Sequence, residues 1–291
     1  MPVLCLIANP AEPALDTATV ARIHAETGGE INWLNRDIAC EIVEPKSIDA
    51  VAAARAEIGD RPIDVALVAS EHRRKQLLIA DMDSTMIEQE CIDELADALG
   101  IKAEIAAITA RAMNGELDFA AALDTRVGLL KGLARKTVEE VRRERITLAP
   151  GGRALVQTMK THGAYTALIS GGFTLFADYF AKRIGFDEAT ANVLDFDGDV
   201  LAGTVSRPIV DRNTKLERLR AIAAERDIPM AATLAVGDGA NDLDMIRAAG
   251  MGVALHAKPV VAAEAPVRID HGDLTALLYL QGYSDEDFVR Q

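Results

Sequence analysis

Two aspartates stand two residues apart, Asp81 and Asp83, directly after the apolar run 77–80 and just before Ser84 and Thr85. Period-two alternation would put both acids on one face of the chain as it leaves a strand. Carboxylates that close repel each other unless a cation or a shared proton offsets the charge. Further chemistry follows two later apolar runs: 165–170 passes into Ser170-Gly171-Gly172, and 233–238 into Gly237-Asp238-Gly239-Ala240-Asn241-Asp242. Lys215 lies between them in Arg212-Asn213-Thr214-Lys215. Asp81, Asp83 and Asp238 offer oxygen with no neighbouring sulfur or imidazole, the donor set of a hard cation such as Mg²⁺. Lys215 supplies a fixed charge for phosphate oxygens, and Ser170 with the Gly171 and Gly172 backbone supplies donors. Taken singly, each has a plainer use. The two acids could end a strand in a loop, Ser170-Gly171-Gly172 could be a turn, 238–242 a loop or helix cap, and Lys215 a solvated charge.

Elements that would gather these residues can be read from the pattern. Apolar strands at 77–81, 165–170, 233–238 and 252–255 alternate with helices, which predicts an α/β fold with a doubly wound parallel sheet. In such a sheet the active crevice lies outside the carboxyl ends of the strands, where all four groups stand. Residues 88–150 are helical by pattern with little β character, a helical cap inserted after the first strand of that sheet. Residues 1–74 read as a separate βαββαβ unit of ferredoxin-like order, with strands at 3–8, 31–34, 39–45 and 63–70 and helices at 15–29 and 48–59. The charged stretch 71–75 reads as a linker, giving domains 1–74 and 75–291. No catalytic constellation appears in the first.

Bulk properties narrow the partners. The chain has 291 residues, 49% apolar and 26% charged, the balance of a globular protein with a sizeable core. Lys plus Arg of 31 against Asp plus Glu of 45 gives a charge of −14, poorly suited to nucleic acid or an anionic membrane. An anionic substrate would then need a local positive site. No basic residue precedes Arg22, which argues against a secretory leader. No apolar run nears the roughly 18 residues of a membrane span. Cys5, Cys40 and Cys91 are scattered and odd in number, which fits buried thiols in a reducing cytoplasm rather than a disulfide or zinc site. The five histidines show no ligand spacing.

Asp81-Met82-Asp83-Ser84-Thr85, Ser170-Gly171-Gly172, Lys215 and Gly237–Asp242, in that order, resemble the four motifs of the haloacid-dehalogenase-like phosphatases. Within the cap, Glu90, Met113-Asn114-Gly115, Asp118-Phe119 and Arg126-Val127-Gly128-Leu129-Leu130 resemble the phosphoserine-hydrolysing branch of that superfamily. The resemblance spans about 77–255. It implies that Asp81 is the nucleophile, forming an aspartyl phosphate, and that Asp83 is the general acid and base. Asp81 and Asp238 would hold Mg²⁺ by their side chains and Asp83 by its carbonyl, with Asp242 supporting from behind and Asn241 reaching the substrate. Lys215 and the Ser170–Gly171 region would stabilise the phosphoryl group. For O-phosphoserine, Glu90 would meet the ammonium and Arg126 the carboxylate, while Met113 and Phe119 close an apolar wall. Arg126 also has Asp124 and Glu116 as alternative surface partners. Implied further are a place as the last step of serine biosynthesis and an ACT-like amino-terminal domain, for which serine binding is an open accessory role. A homodimer is compatible with the pattern. Phosphatase action on another small phosphomonoester, or phosphotransfer from the same intermediate, are the rival readings.

Overall fold

The computed structural model describes residues 1–290. The opening elements are β1 (Pro2–Ala8), α1 (Thr17–Thr27), β2 (Glu30–Asn35), β3 (Ala39–Val43), α2 (Ala50–Ile58) and β4 (Ile63–Ala69). The four strands form an antiparallel sheet in the order β2-β3-β1-β4, with Val3 opposite both Val43 and Val68. This is the βαββαβ arrangement expected from the pattern. Asp16 caps α1 by accepting from Thr19 N at 2.7 Å, and Gly28, at φ +62°, ends it.

The next stretch is β5 (Leu77–Ala80), then α3 (Cys91–Asp97), α4 (Lys102–Met113), α5 (Phe119–Leu129) and α6 (Arg135–Glu144), followed by α7 (Gly152–Thr161). After β6 (Tyr165–Phe173) and α8 (Thr174–Ile184) come β7 (Glu188–Asn192), the antiparallel pair β8 (Leu194–Asp197) and β9 (Val200–Val205), and α9 (Arg212–Glu225). The chain closes through β10 (Thr233–Gly237), α10 (Leu243–Ala248), β11 (Met251–Leu255), α11 (Pro259–Ala262), β12 (Val267–Ile269) and α12 (Ala276–Leu280).

These elements cluster into two compact units. The first takes residues 1–76, 150–164 and those from Val267 onward; the second takes 77–149 and 165–266. In the first, Leu4, Leu6 and Ala8 face a core with Leu15, Ile23, Ile42, Ala54 and Ile58. Val3, Cys5 and Ile7 on the opposite face of β1 are equally buried, and α12 packs on that strand. A strand covered on both faces reads as an unbroken apolar run, which is why 3–8 lacks alternation. Residues 71–75 are not a free linker. Arg73 is ion-paired to Glu41 at 2.6 Å and donates to Leu280 O at 2.8 Å, and Lys75 N donates to Gln281 Oε1 at 3.0 Å. Those partners lie far off in sequence, so local composition could not show them.

In the second unit five strands pair in parallel, in the order β11-β10-β5-β6-β7. Central β5 is wholly buried, with Ala80 level with Val236 on one side and Leu168 on the other. That register brings the carboxyl ends of β5, β6 and β10 to one edge. Helices α3 to α6 form the expected insertion between β5 and β6. Arg142 of α6 fastens it by donating to Leu175 O at 2.9 Å and lying over the Tyr179 ring.

Candidate active site

At the end of β5, Asp81 is held in place from two sides. Met82 N donates to its Oδ1 at 2.8 Å, and Lys215 Nζ pairs with the same oxygen at 2.7 Å. Lys215 is fully buried in the first turn of α9, a turn capped by Asp211 through Thr214 N. Its ammonium also meets Asp242 Oδ1 at 2.6 Å. Burial pulls that ammonium down, but the carboxylates of Asp242 and Asp81 outweigh it and hold it above its ordinary value. Asp242 sits in the turn after β10, its Oδ2 accepting from Gly239 N at 3.0 Å. Gly237 makes room for it, because a Cβ there would lie 2.4 Å from the carboxyl carbon.

Asp238 completes a buried group in which carboxylate oxygens of Asp81, Asp238 and Asp242 lie within 4.8 Å of one another. Three carboxylates against one enclosed ammonium leave an excess of two negative charges. Burial, the neighbouring acids Asp242 and Asp81 push the Asp238 carboxyl well above its usual range. Burial and the Asp81 charge raise Asp242 to about 7. All-oxygen donors with that excess fit a hard divalent cation.

Asp83 is not part of that cluster. The chain turns through Ser84, at φ +53°, and the Asp83 carboxylate accepts from Cys91 N at 2.7 Å and Ser170 Oγ at 3.4 Å. Its side chain therefore faces β6, while Asp242 and Asp238 are the acids that gather beside Asp81. Burial and the Asp81 charge raise the Asp83 carboxyl to about 6. Ser170 is fully buried and receives Gly172 N at 2.8 Å. Gly172 is required by proximity: a Cβ would stand 2.5 Å from Asp83 Oδ2.

Above these acids opens a cleft of about 420 Å³, counting the space open to solvent. Its walls carry Asp81, Asp83, Glu90, Met113, Phe119, Arg126, Gly171 and Asn241. Glu90 precedes the first turn of α3 and accepts from Ser84 Oγ at 2.8 Å. Burial and the charges of Asp83 and Asp238 raise its carboxyl well above the usual value. Arg126, buried in α5, donates from Nε to Ala122 O and from Nη1 to Thr109 Oγ1, each at 3.1 Å. It pairs with neither Asp124 nor Glu116: Asp124 is held by Arg207, and Glu116 by Arg111. Among the described residues no carboxylate lies within ion-pair distance of it. Asn241 Oδ1 is buried without a hydrogen-bond partner, a polar atom held open at the cleft.

The candidate catalytic, metal-holding and substrate-contacting residues thus reach one place, with Lys215, Ser170, Asp238 and Asp242 beneath the cleft, while the motif positions Asn114, Gly115 and Asp118 are exposed. Four supporting residues were missed. Thr85 donates to Asp238 Oδ1 at 3.2 Å, and Lys258 Nζ stands 4.0 Å from Asp238 Oδ2. Asn192 donates to Gly171 O at 2.8 Å and accepts from Val210 N, fixing the carboxyl end of β6. Thr109 touches Arg126. Only Thr85, inside the first motif, carried a local signal.

The sheet with its helical insertion and the acid-lysine cluster define a class. Residues 78–247 match the haloacid dehalogenase-like hydrolases, and the chain belongs to that family. It is 41% identical over 283 residues to a phosphoserine phosphatase of Streptomyces coelicolor, an alignment covering 93% of this chain and 68% of the relative. The fold matches a crystal structure of a haloacid-dehalogenase-family hydrolase from Salmonella enterica serovar Typhi with a TM-score of 0.83, at 30% identity over 98% of this chain and 99% of that one. A structure described as a phospho-aspartyl intermediate analogue of phosphoserine phosphatase matches with a TM-score of 0.68, at 38% identity over 70% of this chain and 97% of that one.

Proposed function

We propose that this chain hydrolyses O-phospho-L-serine to L-serine and phosphate, the closing step of serine formation. The observation that carries the substrate assignment is Arg126. A buried guanidinium bonded only to neutral groups is costly, and a ligand carboxylate would relieve it. Glu90 on the same cleft offers the opposite charge for an ammonium, so the pair is complementary to an amino acid. Met113 and Phe119 exclude water from the phosphate end.

In this reading Asp81 attacks phosphorus as the serine oxygen departs, leaving an aspartyl phosphate. The relative bearing a phospho-aspartyl analogue supports that step. Lys215 and Met82 N fix the attacking carboxylate. Asp83, whose buried carboxyl is raised to about 6 and so holds a proton more readily than a free carboxyl, protonates the leaving alkoxide and then takes a proton from the water that opens the acyl phosphate. Ser170 and the Gly171–Gly172 backbone hold phosphoryl oxygens, and Asn241 reaches the substrate. Asp81 and Asp238, with the Asp83 carbonyl and Asp242 behind, would hold Mg²⁺, which when bound draws off charge from the phosphoryl oxygens. The amino-terminal βαββαβ region is read as an ACT-like regulatory unit that binds serine. Three buried thiols suit the reducing cytoplasm, and no helix among the described residues is long and apolar enough to cross a membrane.

Phosphate release across a panel of phospho-metabolites, with and without Mg²⁺, tests the proposal. Phosphoserine should be preferred, chelation should stop turnover, and Asp81→Asn should lose at least about 10³-fold. Preference for a phosphomonoester without an amino acid group would refute the substrate, and phosphate passing to an added alcohol instead of water would mark a phosphotransferase.

A further inference from the structure

Arg126 is held by a relay that ends on a carboxylate outside the reaction. Its Nη1 donates to Thr109 Oγ1 at 3.1 Å, and the Thr109 hydroxyl lies 2.8 Å from Asp93 Oδ1 as donor. Ile105 O, at 3.1 Å, is the second acceptor within reach of that hydroxyl. The three relay side chains come from three different helices of the cap: Asp93 from α3, Thr109 from α4 and Arg126 from α5. Thr109 is 3% exposed, so water does not compete for its oxygen. With Nε on Ala122 O and one Nη1 proton on Thr109, the guanidinium is fixed in its plane. Its Nη2 protons and the second Nη1 proton remain for a ligand.

We infer that Thr109 and Asp93 are positioning residues which aim Arg126 at the carboxylate of the substrate and so set the preference for amino acid phosphates. The interposed hydroxyl is the essential feature. A carboxylate in direct contact with Arg126 would neutralise it and compete with the ligand for the same donors. A hydroxyl polarised by Asp93 accepts well and orients the guanidinium, yet leaves its charge unspent. Asp93 supplies the field from one residue farther away, its carboxyl raised by burial.

This inference rests on the proposed phosphoserine activity, and a substrate pair separates the two. O-Phosphoethanolamine carries the same phosphate and ammonium but no carboxylate. Thr109→Val keeps the shape of the side chain and removes the acceptor. It should raise KM for O-phosphoserine about tenfold or more, the size of one hydrogen bond to a charged group, with little change in kcat. For O-phosphoethanolamine, kcat/KM should stay within about twofold. Thr109→Ser should restore phosphoserine KM to within about threefold, and Asp93→Asn should reproduce part of the loss. Should Thr109→Val fail to fold, Asp93→Asn carries the same two-substrate comparison. Equal losses on both substrates, or none on either, would overturn the relay. If wild type shows no preference for phosphoserine, or Arg126→Ala costs both substrates equally, the substrate assignment itself is refuted instead.

Discussion

At the scale of single residues the site is a problem of charge. Asp81, Asp238 and Asp242 are buried with one enclosed ammonium among them. Asp83 and Asp242 are raised by burial to about 6 and about 7, above the value near 4 of an unfolded chain. A carboxyl raised in the folded state binds its proton more tightly there than when unfolded. The stability it contributes is full below about pH 4 and is lost as pH climbs through 6 to 7. Chelator-treated protein should therefore melt at a lower temperature at pH 8 than at pH 5. Millimolar Mg²⁺ should remove most of that decline by supplying the missing charge; an unchanged slope in a scanning-calorimetry series would show that these acids do not share a cation site. The identities of the acids, the lysine and the glycines were all legible from type and order. The direction of Asp83 was not, since β5 and its period-two alternation end at Ala80, before either acid. Thr109 and Lys258 were hidden for another reason: each acts through a partner 17 or 20 residues away, and nothing in its neighbours marks it.

Whole elements carry these residues, and their ends decide how firmly. Helix α5 begins at Phe119 and includes Arg126, so one helix presents to the cleft both an apolar side chain and the proposed carboxylate receptor. Its first turn is capped by Asp118, whose carboxylate accepts from Ala121 N at 2.9 Å. Asp118→Ala should cost about 1 kcal/mol of stability and raise KM for phosphoserine, while Asp118→Asn keeps the cap. Urea melts of the three proteins would check this; an alanine variant as stable as the parent would mean the cap contributes nothing to α5. Strands β5, β6, β10 and β11 and the cap helices were readable because each is an apolar run or a helical period. Strand β7, Glu-Ala-Thr-Ala-Asn, has no such run and takes its form from pairing with β6. The β8–β9 hairpin went unread although Asp197-Gly198, with Gly198 at φ +60°, is a turn signal between two short strands.

For the molecule as a whole, the first compact unit is assembled from three separated stretches of chain. Leu277, Leu278, Tyr279 and Tyr283 are buried in it, and Asn35 donates to Tyr279 Oη at 2.8 Å. Asp64 likewise accepts backbone N–H groups of Asp270 at 2.8 Å and Gly272 at 2.7 Å. A fragment beginning at residue 75 would lose the sheet against which these residues pack. It should bind a hydrophobic dye strongly or precipitate, so a test of serine regulation is better made by point substitution in full-length protein. If the fragment stays monomeric and dye-silent, the last segment holds its shape without that sheet. None of this long-range joining could be read from composition, because β1 and β4 look complete in themselves. It also sets a timetable for biosynthesis. The last of the four early strands, β4, leaves the ribosome roughly 200 residues before the helix that covers β1. At about 5–20 residues per second, the completed sheet waits roughly 10 to 40 s with one greasy face unprotected, the interval in which a chaperone has most to offer this nascent chain.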